Sequence, residues 1–174
     1  MKYSKSLLLY EDNPAYGLFF KLIIIGMPAT FLIVSIFLWL AEETEGSLVL
    51  LAEAFIVGLI FWSVFPRKYQ IYKDHLRIVL GGPFSVKVSF EQIKAIEATN
   101  TFAFSMNFVT RITKDYILIA RKKGMGISIT PQDNDSFIEN ANEAIAQWAK
   151  TGSYFGRPVY QWRVYSNNGG STEQ

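Results

Sequence analysis

His75 is the single histidine of the chain, and there is no cysteine. One imidazole, no thiolate and scattered carboxylates supply neither a zinc ligand set nor an assignable nucleophile and base. Set in the turn chemistry of Lys73-Asp74-His75, the ring reads as a solvated polar side chain. "GGP" at Gly81 to Pro83 and "GMG" at Gly124 to Gly126 lack the spacing of a phosphate-cradling loop and read as hairpin punctuation. The residue types therefore point away from an enzyme, a metal site and an organic cofactor. Glu53 asks a separate question, because it interrupts a long apolar run. A carboxylate inside a membrane span is a functional candidate by default. Six residues past Ser47, it reads as a group that reaches the headgroups or sits protonated against a neighbouring helix. A proton or ion path would want more polar company than Thr30, Ser35 and Ser63.

Two other sets of residues have the chemistry of binding. Arg121-Lys122-Lys123 is a basic run at a hairpin edge, and Arg67 and Lys68 follow the second apolar run directly. Beside an anionic inner leaflet, each basic residue near the surface contributes about 1 kcal/mol of attraction. The segment "YFGRPVYQWRVY" places Tyr154, Phe155, Tyr160, Trp162 and Tyr165 close together, with Arg157 and Arg163 among them. Aromatic side chains and arginine are enriched in the cores of interfaces, so this tail is a candidate partner-binding surface. The final "SNNGGSTEQ" has the composition of a disordered end. Phe102, Phe104, Met106 and Phe108 recur at two-residue spacing, which predicts one buried face of a strand, with an exposed apolar patch as the alternative.

The elements that must position these groups fall into two parts. Leu18 to Ala41 is a 24-residue run whose only charge is Lys21, and Ser47 to Phe65 is a 19-residue run whose only charge is Glu53. About 20 apolar residues cross a hydrocarbon core as a helix, so both runs qualify. The short "AEETEGS" between them forces an antiparallel hairpin. Lys2, Lys5 and Lys21 flank one end and Arg67, Lys68 and Lys73 the other, while the connecting loop has no basic residue. The positive-inside rule then puts both termini in the cytoplasm and the protein in the cytoplasmic (inner) membrane. The whole-chain charge of +2 gives no case for nucleic acid.

From Arg67 onward the period changes. "KYQIY", "LRIVL", "SVKVSF", "FAFSMNFVTRIT", "DYILIARKK" and "ISIT" are short strand patterns separated by turn signals, and "EQIKAIEAT" is ambiguous between strand and helical turn. The period then switches to a helix in which Phe137, Ala141, Ala144, Ile145 and Trp148 make one apolar stripe. Thr130 reads as its N-cap, with Pro131 at the first position and Asp133 at the third, and Gly152 as its stop.

"YQIYKDHLRI", "VSFEQIKAIE" and "ISITPQDNDSFIENA" together resemble bacterial pleckstrin-homology-like domains that follow transmembrane hairpins. The resemblance runs from Pro66 to about Lys150. It implies an α+β chain: a two-helix transmembrane hairpin followed by a PH-like seven-stranded antiparallel β barrel or sandwich capped by a C-terminal α-helix. The organisation it suggests is a cytoplasmic segment 1–17, a hairpin 18–65 (helices 18–41 and 47–65), a PH-like domain 66–152 and an aromatic tail 153–174. The first hairpin carries only Lys73, His75 and Arg77, with Asp74 among them, and so departs from the dense basic motif of phosphoinositide binders. What the resemblance implies is a non-enzymatic, membrane-anchored interaction or scaffold module. Its partners would be membrane lipid and protein, as an accessory subunit of a membrane complex or as a homo-oligomer. The competing readings are a sensor of anionic headgroups and a membrane enzyme or transporter subunit that uses Glu53.

Overall fold

The computed structural model describes residues 7–99, 105–113 and 115–153. Lys2, Lys5, Phe102, Phe104 and the tail aromatics Tyr154, Phe155, Tyr160, Trp162 and Tyr165 lie outside the described residues.

Helices α1 (Leu18–Leu40) and α2 (Thr44–Val64) pack antiparallel through a three-residue turn. At 1.5 Å per residue they are about 35 and 32 Å long, enough for a hydrocarbon core of about 30 Å. Within the hairpin, the buried residues are small: Ser35 on α1, Ser47 and Ala54 on α2. The Ser35 hydroxyl donates to Ser47 O at 2.8 Å, a polar tie between the helices near the turn. The large side chains, such as Ile25, Phe37 and Phe55, face outward. Little of either helix is buried within the protein, so neither is the core helix of a globular domain; both are long and apolar enough to cross a membrane.

Two four-stranded sheets follow in place of the expected seven-stranded barrel, and no closed barrel forms among the described residues. In the first sheet β1 (Leu8–Asp12), β2 (Lys68–Tyr72), β3 (His75–Val79) and β4 (Ser85–Ser89) lie side by side, all antiparallel. Strand β1 comes from the segment before the hairpin, where the sequence suggested no element. Its exposed Leu8 and Leu9 blur the alternation that marks a strand. The second sheet orders β5 (Ile93–Thr99), β7 (Tyr116–Arg121), β8 (Gly126–Ile129) and β6 (Ser105–Phe108). Here β6 runs parallel to β8, against the antiparallel expectation. A short 3-10 turn at Phe90–Gln92 runs into β5, so the ambiguous "EQIKAIEAT" begins in a helical turn and continues from Ile93 as a strand.

Helix α3 (Asn134–Ser153) packs against strands of both sheets. The predicted stripe is the face it buries: Phe137, Ala141, Ala144 and Ile145 are in the core and Trp148 is half-buried against it. They meet Tyr69, Ile71, Leu76, Ile78, Phe90, Ile93, Ile117, Ile119, Ile127 and Ile129. Each such side chain contributes about 1.5–3 kcal/mol on burial. The helix starts three residues later than expected. Asp133 is the cap, its carboxylate accepting from the Ser136 amide at 3.0 Å and the Ser136 hydroxyl at 2.7 Å. Those bonds hold the Asp133 carboxyl below the usual aspartate value. Thr130 is instead drawn into the core by other bonds, described below.

Candidate functional site

The chain passes between hairpin and sheets twice, at residues 12–17 on the way in and 64–68 on the way out. Neither passage is a free linker. The incoming segment lies along residues 130–133, the link between β8 and α3. Ala15 N donates to Thr130 O (2.9 Å), Gln132 N to Asn13 O (2.9 Å) and Asp133 N to Asp12 Oδ2 (3.1 Å). Thr110 and Thr130, both fully buried, lock it. The Thr110 amide donates to Thr130 Oγ1 (2.9 Å) and the Thr110 hydroxyl to Ala15 O (2.8 Å). Gly17 N then donates to Thr110 O (2.9 Å) just before α1 begins, and a Cβ at Gly17 would stand 3.0 Å from Arg111 Cβ. Unpaired buried amides are costly, and here the threonine pair satisfies those of the incoming strap.

The outgoing passage is equally short. Arg67 N donates to Val79 O at 2.7 Å. The Tyr16 hydroxyl donates to Pro66 O at 2.6 Å, and its ring packs near Phe65. Burial raises the Tyr16 phenol above its usual value. The β3–β4 turn abuts the end of α2: a Cβ at Gly81 would overlap the Trp62 carbonyl, and one at Gly82 would lie 2.7 Å from the indole. The glycines read as turn punctuation are therefore the seat of Trp62. Gly82 also needs its φ of +62°. The Arg67 guanidinium lies over the same indole, 5.2 Å from the ring centroid, a cation–π arrangement. Lys68 pairs with Glu11 on the neighbouring β1, and Gln70 donates to the other carboxylate oxygen at 2.6 Å. These bonds hold the Glu11 carboxyl below the usual glutamate value.

Two clefts flank this junction. The larger, about 720 Å³, is bounded by Ile24, Ile25 and Phe61 of the helices and by Lys21, Arg67 and Lys68. The smaller, about 380 Å³, is lined by Phe20, Phe65, Arg111 and Tyr116, with Ile112 at its rim 78% exposed. Arg111 Nε is buried there with no hydrogen-bond partner.

The residues singled out from the sequence are only partly brought together. Arg67 and Lys68 meet at the junction, joined by Lys21. Arg121, Lys122 and Lys123 are elsewhere: β7 starts at Tyr116 beside the helices and reaches Arg121 five residues on, about 17 Å away. At that far end Arg121 donates to Gln92 Oε1 (3.1 Å). His75, also at the far end, is not a freely solvated side chain. Its ring stacks on Tyr72 at 4.7 Å, bonds Asp74 at 2.7 Å and is 14% exposed. Met106 is 42% exposed and Phe108 half-buried, so the two-residue spacing does not give one buried face. Glu53 lies nine residues into the 21-residue α2, near its middle because the helix starts at Thr44, and is exposed although it adjoins buried Ala54. Among the described residues, no group of three or more His, Asp or Glu gathers.

Sequence reasoning missed the two-threonine lock and the glycine seat. A signal existed for the second in the pairing of "GGP" with an aromatic at the helix end, but contact across 19 residues is invisible to local pattern. Residues 67–144 match the family model described as a bacterial PH domain. The match spans β2 to α3 and stops short of the hairpin and of β1. No curated protein and no solved structure matches the chain.

Proposed function

We propose that this hairpin-borne bacterial PH domain is a non-catalytic interaction module that docks protein partners at the cytoplasmic face of the inner membrane. Helices α1 and α2 would span the bilayer with both termini in the cytoplasm, as the basic flanks suggest. The observation that carries the reading is the junction. A domain tied to its anchor on two passages presents one fixed surface instead of sampling many, so little orientational freedom remains to be lost when a partner binds. Confinement to the membrane also raises the effective concentration of a weak partner. Glu53 supports a partner within the membrane as well. A charged group facing lipid near a helix centre costs about 2.5–3.5 kcal/mol, a cost that a polar partner helix would offset. The role that fits is an accessory or assembly subunit, or a self-assembling one.

The aromatic tail supplies the second docking element in this reading, through Tyr154, Phe155, Tyr160, Trp162 and Tyr165. Isolation of the full chain in mild detergent, followed by identification of stoichiometric protein and of self-association, tests it. Trp162→Ala should weaken that association by about 2 kcal/mol while leaving the melting temperature unchanged. A chain that isolates as a lone monomer contradicts the reading. A variant that melts lower and associates normally would make the tail part of its own domain.

A further inference from the structure

From the larger cleft at the junction we infer a binding site for the phosphate of an anionic membrane phospholipid, with its acyl chains against the hairpin. The cleft has two kinds of wall. Ile24, Ile25 and Phe61 belong to helices apolar enough to cross a membrane, and Arg67 and Lys68 stand where those helices give way to the sheets. Lys21 joins them from the first turn of α1. A phospholipid has this same division, a charged head over an apolar tail, and its phosphate lies at the depth where a membrane helix ends. The volume of about 720 Å³ is within the range of small-molecule sites, roughly 300–1,000 Å³.

The charges decide the sign of the ligand. Among the described residues, neither Lys21 nor Arg67 forms an ion pair; Lys68 is paired with Glu11. The free pair therefore leaves about two uncompensated positive charges on the lining of one cleft. Arg67 is also pre-oriented by Trp62, which is itself fixed on Gly81 and Gly82. A planar guanidinium held in place suits the oxygens of a phosphate. An exposed lysine in an apolar helix, one turn from its end, extends toward the headgroup layer. An entirely apolar partner helix in the cleft would instead bury these cations without counter-charge. The apolar floor favours lipid over free phosphate.

The inference rests on the reading that α1 and α2 cross the membrane, and the test separates the two. The full chain is reconstituted in phosphatidylcholine vesicles with and without phosphatidylglycerol, washed with carbonate, then taken into detergent and weighed intact for retained lipid. Wild type should stay in the vesicles and retain phosphatidylglycerol in preference to phosphatidylcholine. Lys21→Gln, which removes an exposed charge that is in no ion pair among the described residues, and Lys21→Gln with Arg67→Ala should stay inserted and lose that preference, the double variant by about tenfold or more. Lys122→Ala with Lys123→Ala should keep it. Inorganic phosphate should not displace the lipid. Insertion with equal lipid retention in all variants overturns the site alone, as does equal loss in the Lys122/Lys123 variant, displacement by inorganic phosphate or a co-isolated protein in place of lipid. Release of wild type by carbonate overturns the spanning reading, and the site with it.

Discussion

The two ends of the β domain are built from similar turns and serve differently. At the end beside the helices, Gly81 and Gly82 have the Trp62 carbonyl and indole where their side chains would be. At the far end Gly124 has a φ of +81°, and a Cβ there would meet nothing within 4 Å. All three are glycines in tight turns. Gly81 is needed because another element comes close, Gly124 because the backbone turns left-handed, and Gly82 for both reasons. The same division holds for charge. Arg67 and Lys68 are set against the hairpin, whereas Arg121 lies about a strand length away. Turn chemistry in a sequence reports that the chain bends, and only the packing says which bend carries a joint.

The strongest way to break this contrast is Gly81→Val. Its side chain overlaps main chain rather than a movable side-chain tip, so the β3–β4 turn must leave Trp62. A loss of about 3 kcal/mol or more is expected in thermal or denaturant unfolding of the full chain in detergent. Thr130→Val follows. It removes the acceptor of the buried Thr110 amide and leaves that donor unpaired, for about 1–3 kcal/mol by the same measurement. Gly124→Ala tests the far end and should cost only about 1 kcal/mol, from its backbone conformation alone. Equal losses at Gly81 and Gly124 would erase the distinction between the ends.

The smallest effect is a pH dependence at the β1–β2 edge. The Lys68 and Gln70 bonds lower the folded-state value of Glu11, so its contribution is fully present above the usual glutamate value near 4.5. It is lost as pH falls through the lowered one. The pair is partly exposed and screened, so the contribution stays below about 1 kcal/mol. Glu11→Gln should flatten that part of the stability profile between neutral and acid pH. An unchanged profile would show that β1 is held by its backbone bonds alone.

Much of the architecture was legible because it is written in period. Two long apolar runs gave the hairpin, and the Phe137-to-Trp148 stripe gave α3 and the face it buries. What did not show was long-range pairing. Strand β1 lies more than fifty residues from its partner β2 and carries exposed leucines that hide its alternation. Strand β6 is four residues long, and its inward residue Ser105 is polar and bonded to Ser128 at 2.6 Å. Apolar alternation therefore does not mark which of its residues are buried: Ser105 is, Met106 is not, and Phe108 is partly so. Thr130 looks like a helix cap by type and position, but its hydroxyl is taken by the Thr110 amide. Of the candidate site, Arg67 and Lys68 were readable from their place after an apolar run. Their companionship with Lys21 and Trp62 needed the fold.

The β domain is fixed to the hairpin by both passages and not merely tethered to it. The chain has no cysteine, so two can be introduced for spin labels without background. Labels at position 45, beside the hairpin turn, and at position 123, at the far end of the β domain, report the angle between the two parts. Pulsed dipolar spectroscopy on the full chain in lipid nanodiscs should give one narrow distance distribution for wild type and a broad one for Gly81→Val. A broad distribution in wild type would mean that the two parts are only tethered.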